Sequence, residues 1–141
     1  MQDRIELASQ FIGFSEKRKV DELQKLIKIN PLKNQWCAAF VTAIEKLAGQ
    51  SGTGVLAARA YLNYGTRVQN PKPGDIVVLW RGARDGCEGH VGYLIEKGVT
   101  SVTVLGGNQD HQVKIKKYPR ERVLGYVRIG DPDLPKPILS V

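Results

Sequence analysis

An α+β fold is predicted by three observations. Apolar residues recur at helical spacing only in the first half of the chain, the period turns extended after Pro71-Lys72-Pro73-Gly74-Asp75, and short strands with tight connections follow one another from there. The helices are expected to pack on an antiparallel sheet of about five to six strands, or on a small barrel.

The first helix is read from Ile5, where Ala8, Phe11 and Ile12 recur at three- and four-residue steps. Val20, Leu23, Leu26 and Ile27 repeat the pattern with Lys25 and Lys28 turned outward. Asn30-Pro31 should end that second helix, because a residue before proline is pushed out of the helical region. A third helix follows Asn34, taken as its N-cap, and carries Cys37, Val41, Ile44 and Ala48 on one face until GQSGTG at 49–54 breaks it. Val55 to Tyr64 reads as a fourth, Ala-rich helix that stops near Gly65.

Ile76 to Trp80, an unbroken β-branched and aromatic run, is a buried strand. Gly89 to Glu96, Ser101 to Leu105, Val113 to Tyr118 and Val123 to Ile129 supply four more candidates. Val113-Lys114-Ile115-Lys116 alternates an apolar with a basic face. Residues 1–130 are expected to form one domain, and the proline-rich 131–141 an extended tail.

No stretch approaches the ~18 apolar residues of a membrane span, and MQDRIELASQ lacks the layout of a secretory signal. Synthesis in a cytoplasm is therefore expected, with both cysteines as free thiols. The net charge of +7 favours polyanionic partners in general. Basic residues are spread from Lys17 to Lys136 without aromatic interleaving, so nucleic acid is not the expected partner.

Chemistry concentrates on a few residues. Cys37 stands at the start of an apolar helix, where unpaired N–H groups and the helix dipole favour a thiolate. A nucleophilic thiol needs a base, and of the two histidines His90, between glycines at the start of a strand, is better placed than His111 in the turn Asn108-Gln109-Asp110-His111. Asn108, after Gly106-Gly107, is the candidate to orient the ring, in a Cys, His, Asn order. The Cys37 N–H and the Gln35 side chain are candidate oxyanion donors. Trp36, Trp80 and Gln109 join Gln35 as candidates for substrate contact, the two tryptophans also reading as core or groove walls. Against all this, a cysteine on an apolar helix is more often inert core, and paired glycines more often mark a turn. Cys87-Glu88-Gly89-His90 has ligand-like spacing, but a zinc site would need Cys37 and His111 to converge on it without a second close pair; no metal and no cofactor are expected.

Taken together, "WCAAFV", "PKPGDIVVLWRG", "GHVGYLIE", "LGGNQ" and "VLGYVR" resemble, in order and approximate spacing, the small CHAP-like, NlpC-related cysteine hydrolases, many of them phage- or prophage-encoded. The resemblance implies a papain-like core, one catalytic domain, and hydrolysis of an amide bond in peptidoglycan, within the stem or crosslink or at the muramyl-L-alanine link. It puts the nucleophile on Cys37, the base on His90 and the polar third member on Asn108. Where relatives often carry an acidic residue just upstream of the asparagine, this chain has Gly106. The expected setting is a monomeric phage endolysin that reaches the wall after release, aided by attraction of its basic surface to anionic envelope polymers. A secreted antibacterial amidase and a basic nucleic-acid-binding domain are the rival readings.

Overall fold

The computed structural model describes residues 3–129. The tail read at 131–141 lies outside these residues. Helices α1 (Arg4–Ser9), α2 (Val20–Ile27) and α3 (Cys37–Leu47) and a 3-10 helix (Ala58–Asn63) precede most of the sheet. The strands are β1 (Thr66–Val68), β2 (Ile76–Trp80), β3 (Gly89–Lys97), β4 (Ser101–Gln109), β5 (Gln112–Pro119) and β6 (Val123–Arg128). They form one six-stranded sheet in the order β1-β6-β2-β3-β4-β5, with every pairing antiparallel. The molecule is thus α+β, in keeping with a papain-like core.

Helix α3 is the axis of the core. Every residue from Cys37 to Glu45 is buried, which the all-round apolar run CAAFVTAI requires. The helix lies against β3 and β4, packing with Val91, Tyr93 and Leu105, while Ala8 of α1 and Leu23 and Ile27 of α2 close its other sides. The opposite face of the sheet holds a second buried cluster of Val77, Leu79, Leu94, Val102 and Val104. Tyr118 of β5 and Val123 and Tyr126 of β6 pack onto that cluster. Both faces being buried explains why β2 reads as a continuous apolar run.

One buried polar network ties the first helix to this axis. Glu45 is fully buried and accepts from Arg4 Nε at 2.7 Å and Nη2 at 3.0 Å, from Tyr93 Oη at 2.8 Å and from Tyr64 Oη at 2.9 Å. A buried carboxylate is tolerable only with such a complement of partners. Asp75, read as a turn residue, accepts from the Lys72 N–H at 2.7 Å and also pairs with Arg128 of β6 at 2.8 Å.

Several local expectations are corrected. Helix α1 stops at Ser9 and the chain turns through Phe11 and Ile12. The fourth helix is a 3-10 segment of six residues, and Val55 and Leu56 are exposed outside it. Its two buried side chains, Ala58 and Tyr61, are three residues apart, the 3-10 period. The short strand β1 carries no apolar run and was not read from the sequence. Ile115 is 47% exposed beside buried Val113, so the apolar face of β5 covers the core only at its start.

Asn34 does not cap α3. Its Nδ2 donates back to Asn30 O at 2.9 Å, and the N-cap position is Trp36, which makes no side-chain capping bond. The first N–H groups of α3 are therefore left to whatever stands at its N-terminus.

Candidate active site

The N-terminus of α3 meets the sheet where two strands part. The β3–β4 ladder runs from Lys97 opposite Val102 to Tyr93 opposite Leu105 and goes no further. The backbone N–H of Val91 is thereby freed from that ladder, and it reaches the Cys37 sulfur, as do the N–H groups of Cys37 and Ala38. Gly107 permits this approach: a Cβ there would stand 2.7 Å from both Phe40 Cβ and Trp36 Cζ3. Cys37 thus lies beside the residue that follows His90.

A bulge in β4 sets the other half of the site. Gly106 pairs with Lys114 and Gln109 with Gln112, so β4 carries one extra residue between them. Asn108 takes the strain with φ of 57°. The extra residue turns the Gln109 side chain inward, where its Oε1 lies 2.8 Å from His90 Nε2. Both Gln109 amide hydrogens are engaged by backbone carbonyls, Val104 O at 3.1 Å and Lys114 O at 2.7 Å. This fixes which end of the amide faces the ring. Since Oε1 only accepts, His90 Nε2 must carry the proton. Nδ1 is then the unprotonated nitrogen, and it is buried with no hydrogen-bond partner among the described residues. Gly106 makes room for this arrangement, because a Cβ there would sit 2.8 Å from Gln109 Oε1.

The carboxamide behind the ring is accordingly Gln109, in place of the expected Asn108. Asn108 lies at the lip of the cleft, where its Nδ2 donates to Gln35 Oε1 at 2.9 Å. Gln35 is exposed and also accepts from Arg81 Nη1 at 3.3 Å, which leaves its own amide NH2 without a partner among the described residues. Of the two tryptophans, Trp36 takes the core reading. Trp36 is fully buried beneath Gly107, with Nε1 3.4 Å from Glu16 Oε2. Trp80 is half-buried, donates to Glu121 O at 3.2 Å and lies under the Arg122 guanidinium. Gln109, 1% exposed, touches the imidazole and not the solvent.

His111 pairs with Glu16 at 2.8 Å on the surface. Cys87 is exposed in the 81–88 loop, which the Arg59 guanidinium clamps through Ala83 O, Arg84 O and Glu88 O. Both cysteines are free thiols, and among the described residues no cluster of three His, Cys, Asp or Glu could hold a metal ion. Tyr118, which sequence reasoning passed over, lies 5.3 Å from the His90 ring, centroid to centroid. Arg81 and Arg122 were passed over as well, since nothing in their local sequence distinguishes them from other surface arginines.

Burial dominates the electrostatics. It pushes the Cys37 thiol up, against the opposing pull of the Val91 N–H, the Arg81 charge and the first N–H groups of α3. Burial also lowers His90 to about 4, the Gln109 bond resisting and the Arg81, Arg122 and Lys116 charges assisting. The resting pair is therefore neutral thiol and neutral imidazole, where the helix terminus alone suggested a thiolate. Iodoacetamide at neutral pH should consequently modify Cys87 before Cys37, as peptide mass mapping over time would reveal; earlier labelling of Cys37 would contradict this.

The same burial couples stability to pH. A base whose folded-state pKa lies below its unfolded value favours folding in the neutral form, so stability is complete above about pH 6.5 and falls as acid is added. Acidification to pH 4 should cost about 3 kcal/mol through His90 alone. Urea melts of wild type and His90→Asn across that range check the figure: the variant should lose less, and parallel losses would contradict it.

Residues 29–108, more than half of the chain, match the CHAP domain family. The chain belongs to the CHAP domain family. The matched span opens just after α2 and closes at Asn108, and so contains Cys37 and His90 but ends one residue short of Gln109. Among curated proteins no match is found. CHAP domains are peptidoglycan hydrolases, typically cysteine- and histidine-dependent amidases or peptidases.

Proposed function

We propose that this CHAP domain cleaves an amide bond of peptidoglycan by acyl transfer, with Cys37 as nucleophile, His90 as proton carrier and Gln109 as the group that orients the ring. The observation that supports it best is the fixed tautomer: Gln109 holds the proton on Nε2 and leaves the Nδ1 lone pair as a base.

Cys37 Sγ attacks the amide carbon as its proton passes to Nδ1. The carbonyl oxygen, now negative, is met by the backbone N–H of Cys37 and the free amide NH2 of Gln35. Collapse breaks the C–N bond while Nδ1–H protonates the departing nitrogen. A water molecule then attacks the thioester and gives its proton to Nδ1. Collapse frees the new carboxylic acid, and the sulfur recovers its proton from the ring. Because both groups start neutral, neither carries a buried charge between turnovers.

In the cell the reading is a phage endolysin-type enzyme, made in the host and acting on the wall after release. Its support is the likeness to phage- and prophage-encoded hydrolases.

Digestion of purified peptidoglycan with mass spectrometry of the fragments tests the reading. Wild type should release matched new amines and carboxylates, and Cys37→Ala none. A free L-alanine amino terminus would define an amidase, a terminus within the stem or crosslink an endopeptidase. Equal digestion by both proteins would contradict the proposal.

A further inference from the structure

A cleft of about 610 Å³ opens beside the site: Gln35, Asn108 and Gln109 line it, while Cys37 and His90 are buried and are not among its lining residues. Gln35, Asn108 and Arg81 line one part of it, and Tyr118, Lys116 and Arg122 another. Its carboxylates are already engaged. Glu16 pairs with His111, and Asp110 pairs with Lys114 at 2.9 Å and Lys116 at 2.8 Å, which holds it down at about 2.

Two guanidiniums are left without a carboxylate among the described residues. Arg122 is nonetheless held in place: Nε and Nη2 both donate to Trp80 O, at 3.1 and 3.0 Å, and its Cζ lies 5.7 Å from the ring centroids of Trp80 and Tyr118. Arg81 is steadied by Gln35. Each keeps N–H donors without a hydrogen bond among the described residues. Both line the same cleft as Gln35, two residues before Cys37, and Gln109, the partner of His90. A positioned, uncompensated guanidinium fork matches a carboxylate by geometry as well as charge.

We propose that Arg81 and Arg122 form a carboxylate-recognition subsite, through which the cleft selects peptidoglycan with a free carboxylate beside the scissile amide over the same polymer with that carboxylate amidated. This rests on the amide hydrolysis proposed above and names the substrate class of that site.

The test uses one peptidoglycan preparation, half of it converted to primary amides with carbodiimide and ammonia, and measures the release of new amines from each half. Wild type should prefer the untreated polymer by about tenfold to hundredfold, the range a charge-assisted hydrogen bond or two supplies. Arg81→Gln and Arg122→Gln should each shrink that ratio, and the double variant should bring it near one. Lys117→Gln, which removes an exposed charge of β5, should leave the ratio as it is and so separates local recognition from general attraction to an anionic wall. Arg122→Gln also gives up its Trp80 bonds; if its thermal melt shows unfolding, Arg81→Gln alone decides. Equal rates on both halves, a preference that survives in the variants, or an equal loss in Lys117→Gln would overturn the subsite. With Cys37→Ala inactive, such a result leaves the hydrolase standing, whereas failure of wild type on both halves removes both.

Discussion

His90→Ala is expected to lower peptidoglycan hydrolysis by about four orders of magnitude, the upper end of what a single proton-transfer group contributes. The imidazole serves twice in each half of the reaction, first as acceptor and then as donor. It has no substitute nearby: His111 is on the surface with Glu16, and Tyr118, raised to about 12 by burial, is too weak an acid to exchange protons near neutrality. The substitution also strands Gln109 Oε1 in a buried position, at a cost of about 1–3 kcal/mol. Activity should therefore be measured below the melting temperature of the variant, with turnover counted from newly released amines. A rate within tenfold of wild type would remove His90 from the chemistry.

The largest effect on stability is expected at Glu45, far from the cleft. Glu45→Ala should cost about 3–5 kcal/mol in urea unfolding, because it leaves the Arg4 guanidinium buried without its carboxylate and takes away the acceptor of two tyrosine hydroxyls. Glu45→Gln, which keeps the shape and one acceptor, should cost less. Equal and small losses for both would mean that the network adds little to the fold. The protein should otherwise keep its active-site arrangement, since α3 is held against β3 and β4 by apolar contacts that Glu45 does not make.

Neither the importance of Glu45 nor the identity of the ring-orienting amide was legible in the sequence. Glu45 falls within an otherwise apolar helix, and its partners come from positions 4, 64 and 93, which only folding brings together. Gln109 was missed by one residue for a local reason. Asn108 and Gln109 are neighbours in a strand, and alternation offers one of them to each face. The bulge after Gly106 shifts that alternation, and a bulge is set by the pairing of β4 with β5, not by β4 alone. Cys37 and His90 stand out as candidates in the sequence because their residue types are rare in this chain and each sits at the boundary of an element, where periodicity is informative. The helix dipole argument at Cys37 identified the donors around the sulfur but not the size of the burial that opposes them. The strands from β2 onward could be read because the run of β-branched residues and the turn before it are local features. Segments whose form depends on partners, such as β1 and the 3-10 helix, could not.

The proposed chemistry stands on one protonation state: His90 at rest is a neutral imidazole with its proton on Nε2 and a free lone pair on Nδ1. Nitrogen-15 NMR of protein labelled at histidine reads this directly. The account predicts a protonated, pyrrole-type Nε2 and an unprotonated, pyridine-type Nδ1 for His90 at neutral pH, with the second proton taken up only near pH 4. A doubly protonated His90 ring at pH 7, or the proton on Nδ1, would contradict it.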